Sequence, residues 1–280
     1  MSRIYIPTDG PEDWRHLLAS PERQWRDGYS AKSLALAWQA ADGFPPDVRK
    51  ALDDSGIHAF EDAEMLLGIP EYKVALPGGS AASQNDMFVL AKGREGHIVI
   101  MVEGKVNESF GPFVSKWMEG ASAGKEERLA FLCDKLGLQT ERVYSLRYQL
   151  LHRAASALMT AEQFNARHAL MLVHSFSSDN QGFDDFAAFA ALFGVTPEIG
   201  KIQPLGKAKG LSFYTTWIQS DLPVVAHSVY QPLSGKVKAR KCPRCGHHEI
   251  GIVDSYGRFS ALKPGMEVEA RGGRVREVIT

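Results

Sequence analysis

Residues 83–106 read SQNDMFVLAKGREGHIVIMVEGKV, two apolar runs joined by a short polar turn. Asp86 opens the run MFVLA, the turn Lys92–His97 holds two glycines, and the β-branched run IVIMV leads into Glu103, Gly104 and Lys105. Apolar runs of this length around a Gly-containing turn predict strand, turn, strand. Successive side chains on a strand alternate faces, so Glu103 and Lys105 point the same way, and the neighbouring strand brings Asp86 beside them. An Asp…Glu-x-Lys triad at strand ends follows from this pattern.

Working outward, YKVAL (72–76) predicts a further strand, stopped by Pro77-Gly78-Gly79, which makes three consecutive strands. Upstream, Val48, Leu52, Ile57, Phe60, Met65, Leu66 and Leu67 suggest one or two helices ending at Gly68 and Pro70. Residues 1–46 form a helical N-terminal extension, in which Ser30 or Ser33 caps SAKSLALAWQAA and Gly43 with Pro45-Pro46 ends it. Downstream, helices are expected over 124–138 and 141–160. The apolar run ALMLVHSF (169–176) reads as a strand covered on both faces, FDDFAAFAALFGV as a helix and LSFYTTWIQSD (211–221) as a strand. This order describes an α/β core over 47–222. From residue 223 short strands and Gly-containing turns predict a β-rich C-terminal module, 223–280.

The chain has 280 residues, 44% of them hydrophobic, which supports a sizeable buried core. A formal net charge of −1 gives no global cationic field, so contact with nucleic acid has to come from a local patch. There are three cysteines, Cys133, Cys242 and Cys245, and the start, MSRIYIPTDG, has no secretory apolar region. A disulfide framework is not expected, and a reducing, cytoplasmic setting is. No apolar run approaches the length of a membrane helix, so no membrane association is expected.

Phosphodiester hydrolysis needs charge compensation on the phosphate and hydroxide at neutral pH, and carboxylates holding Mg²⁺ or Mn²⁺ supply both. Asp86 and Glu103 are the candidate ligands, with the Gly104 carbonyl as a third oxygen, and Lys105 is placed to orient the attacking water. The competing reading is an exposed Glu-x-Lys strand pair with Asp86 capping a turn.

Taken with the order of elements, residues 47–176 resemble the restriction-endonuclease-like PD-(D/E)xK nuclease superfamily, whose core is helix, three strands, helix, strand. There the Asp begins the second strand and (D/E)xK ends the third, as Asp86 and Glu103-Gly104-Lys105 do here; Asn85 stands in place of the nominal proline. The resemblance implies a Mg²⁺-dependent nuclease acting on nucleic acid, DNA in the first instance, and leaves a homodimer open. It also implies a carboxylate from the first core helix, for which Glu64 competes with Glu61, Asp62 and Glu71, and a glutamine from the second, Gln149. Arg147, His152 and Arg153 flank that glutamine and could contact phosphate. His174, inside ALMLVHSF, reads as a hydrogen-bonded core histidine. The alternative function is a noncatalytic nucleic-acid or protein-binding module on the same fold.

Cys242-Pro-Arg-Cys245-Gly-His-His has the turn chemistry of a zinc knuckle, with His247 or His248 as third ligand and His227 as fourth. The basic run Lys236, Lys238, Arg240, Lys241 before it suits phosphate or a solvated strand. PGGSAAS (77–83) lacks the lysine of a phosphate loop; its expected role is to let the chain turn closely beside Asp86.

Overall fold

The computed structural model describes Ile4, residues 10–208 and 210–223, and five short strands of the remainder. The chain divides into two units, Met1–Pro223 and Val224–Thr280. In the first, a 3₁₀ turn Pro11–Leu17 precedes helices α1 (Pro21–Gln24), α2 (Ser30–Ala40) and α3 (Pro46–Asp53). Strands β1 (Glu64–Val74), β2 (Ser83–Gly93) and β3 (Gly96–Lys105) follow, then α4 (Val114–Trp117), α5 (Ala123–Leu136) and α6 (Tyr148–Gln163). Strand β4 (His168–Ser175), α7 (Phe183–Ala191), β5 (Gln203–Ala208) and β6 (Leu211–Gln219) complete it.

The strands form one mixed α/β sheet in the order β1-β2-β3-β4-β6-β5. β1, β2 and β3 pair antiparallel, while β3, β4 and β6 run parallel. Both faces are covered, which is why β3 and β4 read as unbroken apolar runs. On β3, Val99 and Met101 face a core with Leu129, Leu150, Leu151 and Leu158 of α5 and α6. Ile98, Ile100 and Val102 face a second core with Leu34, Trp38, Val48 and Leu52 of α2 and α3. Each such fully buried side chain contributes about 1.5–3 kcal/mol. Helices α2 and α3 therefore cover one face of the central strands, and Trp38 donates its indole N–H to Nδ1 of the fully buried His174 at 3.1 Å. The other ring nitrogen of His174 meets Ser220 Oγ at 2.9 Å, so this histidine is a satisfied core residue.

Two expectations change. The segment 64–70 is not helical: β1 runs from Glu64, with a bulge between Met65 and Leu67. Gly68 and Pro70 do not terminate it, because β1 is the edge strand and an edge tolerates proline's missing N–H. The loop at Gly78 packs on α5 rather than beside Asp86. Arg128 donates to the carbonyls of Leu76, Pro77 and Gly79, and Gly78 lies at φ +76° against Gly124.

A Cβ on Gly78 would stand 2.0 Å from the Gly124 carbonyl oxygen. Gly78→Ala is accordingly expected to destabilise the unit by about 2–4 kcal/mol. Urea unfolding measures it, and a loss under about 0.5 kcal/mol would show that the loop can move off α5.

In the second unit β7 (Lys236–Lys241), β8 (His248–Val253) and β9 (Phe259–Ala261) make an antiparallel sheet. β10 (Val268–Ala270) and β11 (Gly273–Val275) pair as a hairpin. The knuckle residues Cys242, Cys245 and His247, and His227, lie outside the described residues; His248 is the first residue of β8. No helix among the described residues is long and apolar enough to cross a membrane.

Candidate active site

The β2–β3 ladder ends at Met87 opposite Val102, and continuing its register sets Asp86 across from Glu103. The β1–β2 ladder pairs Pro70 with Met87 and Tyr72 with Asn85, which sets Glu71 across from Asp86. Three carboxylates thus stand in a row across three strands. All line one cavity of about 610 Å³, together with Lys105, Gln149, His152 and Arg153. Alternation puts Glu103 and Lys105 on the α6 face of β3, and Gly104 on the α2 face, where a Cβ would meet Leu34 at 3.5 Å.

Lys105 Nζ donates to Glu103 Oε1 at 2.6 Å and to Gln149 Oε1 at 3.2 Å, and lies 4.7 Å from the centre of the Phe110 ring. Arg153, projecting from α6, donates through Nε to the other Glu103 oxygen, and its Nη2 is 3.8 Å from Asp86 Oδ1. The remaining Asp86 oxygen accepts the Gly104 backbone N–H at 2.8 Å. Gly104 therefore contributes a backbone N–H to the site. Gln84 donates to Glu71 at 2.6 Å.

Burial first, then repulsion from Glu103, raises the Asp86 pKa; burial first, then repulsion from Asp86, raises that of Glu71. Burial alone would raise Glu103 too, but Arg153 and Lys105 outweigh it and hold Glu103 down to about 2. Two cations thus sit among three carboxylates, leaving one negative charge uncompensated when all three ionise. Burial and the neighbouring Arg153 push His152 down to about 3, so its ring is neutral at pH 7. His152 Nδ1 is hydrogen-bonded to Ser83 Oγ at 2.8 Å, and Ser83 accepts from Arg153 Nη1 at 3.3 Å. Ser83 is 2% exposed and props the arginine.

Among the described residues no group of three or more His, Cys, Asp or Glu is arranged to hold a metal ion. Mg²⁺ does not require one, since it keeps several waters and binds through one or two carboxylates. Asp86 and Glu103 are hard oxygen donors, the ligand type this ion takes. Glu103 would be shared with Lys105 and Arg153.

The structure brings together Asp86, Glu103, Lys105 and Gln149. It does not bring Glu64 there: that residue opens β1 opposite Lys92, at the far end of the ladder from Asp86, because the segment is strand and not helix. The third carboxylate is Glu71. Arg147 is also elsewhere, bonded to Asp185 at 2.9 Å and to the Gly111 carbonyl. What the sequence did not show is that Arg153 turns inward onto Glu103, being 6% exposed.

No curated protein and no solved structure matches the chain. Residues 7–222 do match a family, and the span takes in every residue of the site just described. The chain belongs to the family described as "Domain of unknown function (DUF6946)".

Proposed function

We propose that this protein is a metal-dependent phosphodiester hydrolase, a nuclease acting on DNA with Mg²⁺ or Mn²⁺. The observation that carries the reading is the row of Asp86 and Glu103 at adjacent strand ends, with Lys105 and Gln149 on the same cavity floor. The element order, three antiparallel strands, then helices, then a strand parallel to the third, supports the restriction-endonuclease-like core that the sequence resembles.

Asp86 and Glu103 would hold the ion, which supplies a Lewis acid and a water acidified toward neutral pH. Lys105 holds its ammonium over the floor, where it donates to the attacking water and offsets charge developing on the phosphate. Gln149 orients Lys105 by accepting from it. Arg153 fixes Glu103, and burial in the cavity strengthens each of these interactions.

The test pairs calorimetry of Mn²⁺ binding with cleavage of plasmid, linear and single-stranded DNA. Lys105→Ala is expected to lower cleavage at least about 10²-fold with Mn²⁺ binding retained. Cleavage by that variant at the parent rate would remove the reading.

One observation favours a second reading. Both Glu103 oxygens are already in ion pairs, with Lys105 and Arg153, as in a structural lock on a noncatalytic binding module. Absence of any Mn²⁺ binding sensitive to Glu103→Gln decides for that module.

A further inference from the structure

The cavity has a second wall that the hydrolytic chemistry leaves unused. Arg23, Gln24, Tyr29 and Ser30 form it, from α1, the following loop and the start of α2. Tyr29 is 40% exposed, and Arg26 lies 5.9 Å from the centre of its ring. Arg23 is exposed and has no ion-pair partner among the described residues. This wall is tied to the floor: Glu108 accepts the Ser30 N–H and the Val106 N–H, each at 2.8 Å. Facing it, Tyr148 lines the cavity with its ring stacked on Trp117, 4.0 Å between centroids and 11° between planes.

The floor is buried, while the cavity above it opens to solvent. The side chains of Glu103 and Lys105 are 2% and 5% exposed, and about 610 Å³ lies above them. That volume suits a ligand of small-molecule size, on the order of one nucleotide with part of its neighbour. In a duplex every base is paired and stacked, so none is free to lie on the exposed Tyr29 ring. A single strand has free backbone torsions and unstacked bases.

We propose that the site takes single-stranded DNA, with Tyr29 as the stacking platform for a base beside the scissile phosphate and Arg23 contacting the next phosphate. This rests on the hydrolase reading. Aromatic stacking holds any base, so the selection is for strandedness rather than sequence.

The test uses the full-length protein with Mn²⁺ and one end-labelled oligonucleotide, alone or annealed to its blunt complement. The single strand is expected to be cut at least about tenfold faster than the duplex. Tyr29→Ala should lower kcat/KM on the single strand about tenfold, Tyr29→Phe should restore it, and Mn²⁺ binding should be the same in both variants. Arg23→Ala should flatten the salt dependence of single-strand binding. A duplex cut as fast as the single strand, or Tyr29→Ala cutting at the parent rate, overturns the proposal while leaving the hydrolase reading in place. Cleavage of neither substrate removes both.

Discussion

Asp86→Asn is expected to lower metal-dependent cleavage at least about 10³-fold while making the metal-free protein more stable at about pH 8. The two effects have one origin. Asp86 is buried next to Glu103 and Glu71, keeping only 21% of its side-chain surface open, and its pKa is raised by that burial and then by Glu103. A carboxyl whose folded pKa lies above its unfolded value contributes stability that is complete below the unfolded pKa. That contribution is lost as pH rises through the folded one. Asparagine carries no charge to bury and keeps an oxygen for the Gly104 N–H, so the difference in Tm between variant and parent should widen from about pH 4 to about pH 7 and level off above it. Bound Mn²⁺ should reverse the order, stabilising the parent and not the variant. Thermal unfolding across pH, with and without Mn²⁺, reads all of this. A variant less stable than the parent at every pH would make Asp86 a structural residue.

Arg153→Met is expected to destabilise the protein by about 3–5 kcal/mol, because it leaves Glu103 buried with Lys105 alone as its cation. The pKa of Glu103, now held down to about 2, should rise. Since a depressed carboxylate gives stability above its unfolded pKa, the parent's advantage over Arg153→Met should be present at neutral pH and fade as pH falls toward about 2. The double variant Arg153→Met/Glu103→Gln should recover most of the loss, the coupling expected of a buried pair. Chemical denaturation of the four proteins measures it. A single-variant loss below about 1 kcal/mol would mean that water reaches Glu103 and that the pair is not buried in solution.

The nuclease reading and these two predictions draw on different parts of the chain's legibility. Glu103 and Lys105 could be read as neighbours from their spacing, because strand alternation is local. Asp86 followed from the hairpin, because a tight turn between two apolar runs sets the register. Segment 64–70 misled, since apolar residues at 57, 60 and 65–67 also fit a helix and Gly68 and Pro70 imitate its stop. Only its place at the sheet edge makes it a strand. With that strand displaced, Glu71 had no reason to be preferred over Glu61, Asp62 or Glu64.

Sequence alone thus determined the central hairpin, the α/β alternation and the triad Asp86, Glu103 and Lys105, all consequences of periodicities two to four residues long. Tertiary structure alone decided three things: that β1 is an edge strand with Glu71 beside Asp86, that Arg153 turns inward onto Glu103, and that α1 and α2 line one wall of the cavity. These contacts join residues 15 to about 80 positions apart, where no local period carries information and only the packing of two layers against one sheet selects the partner.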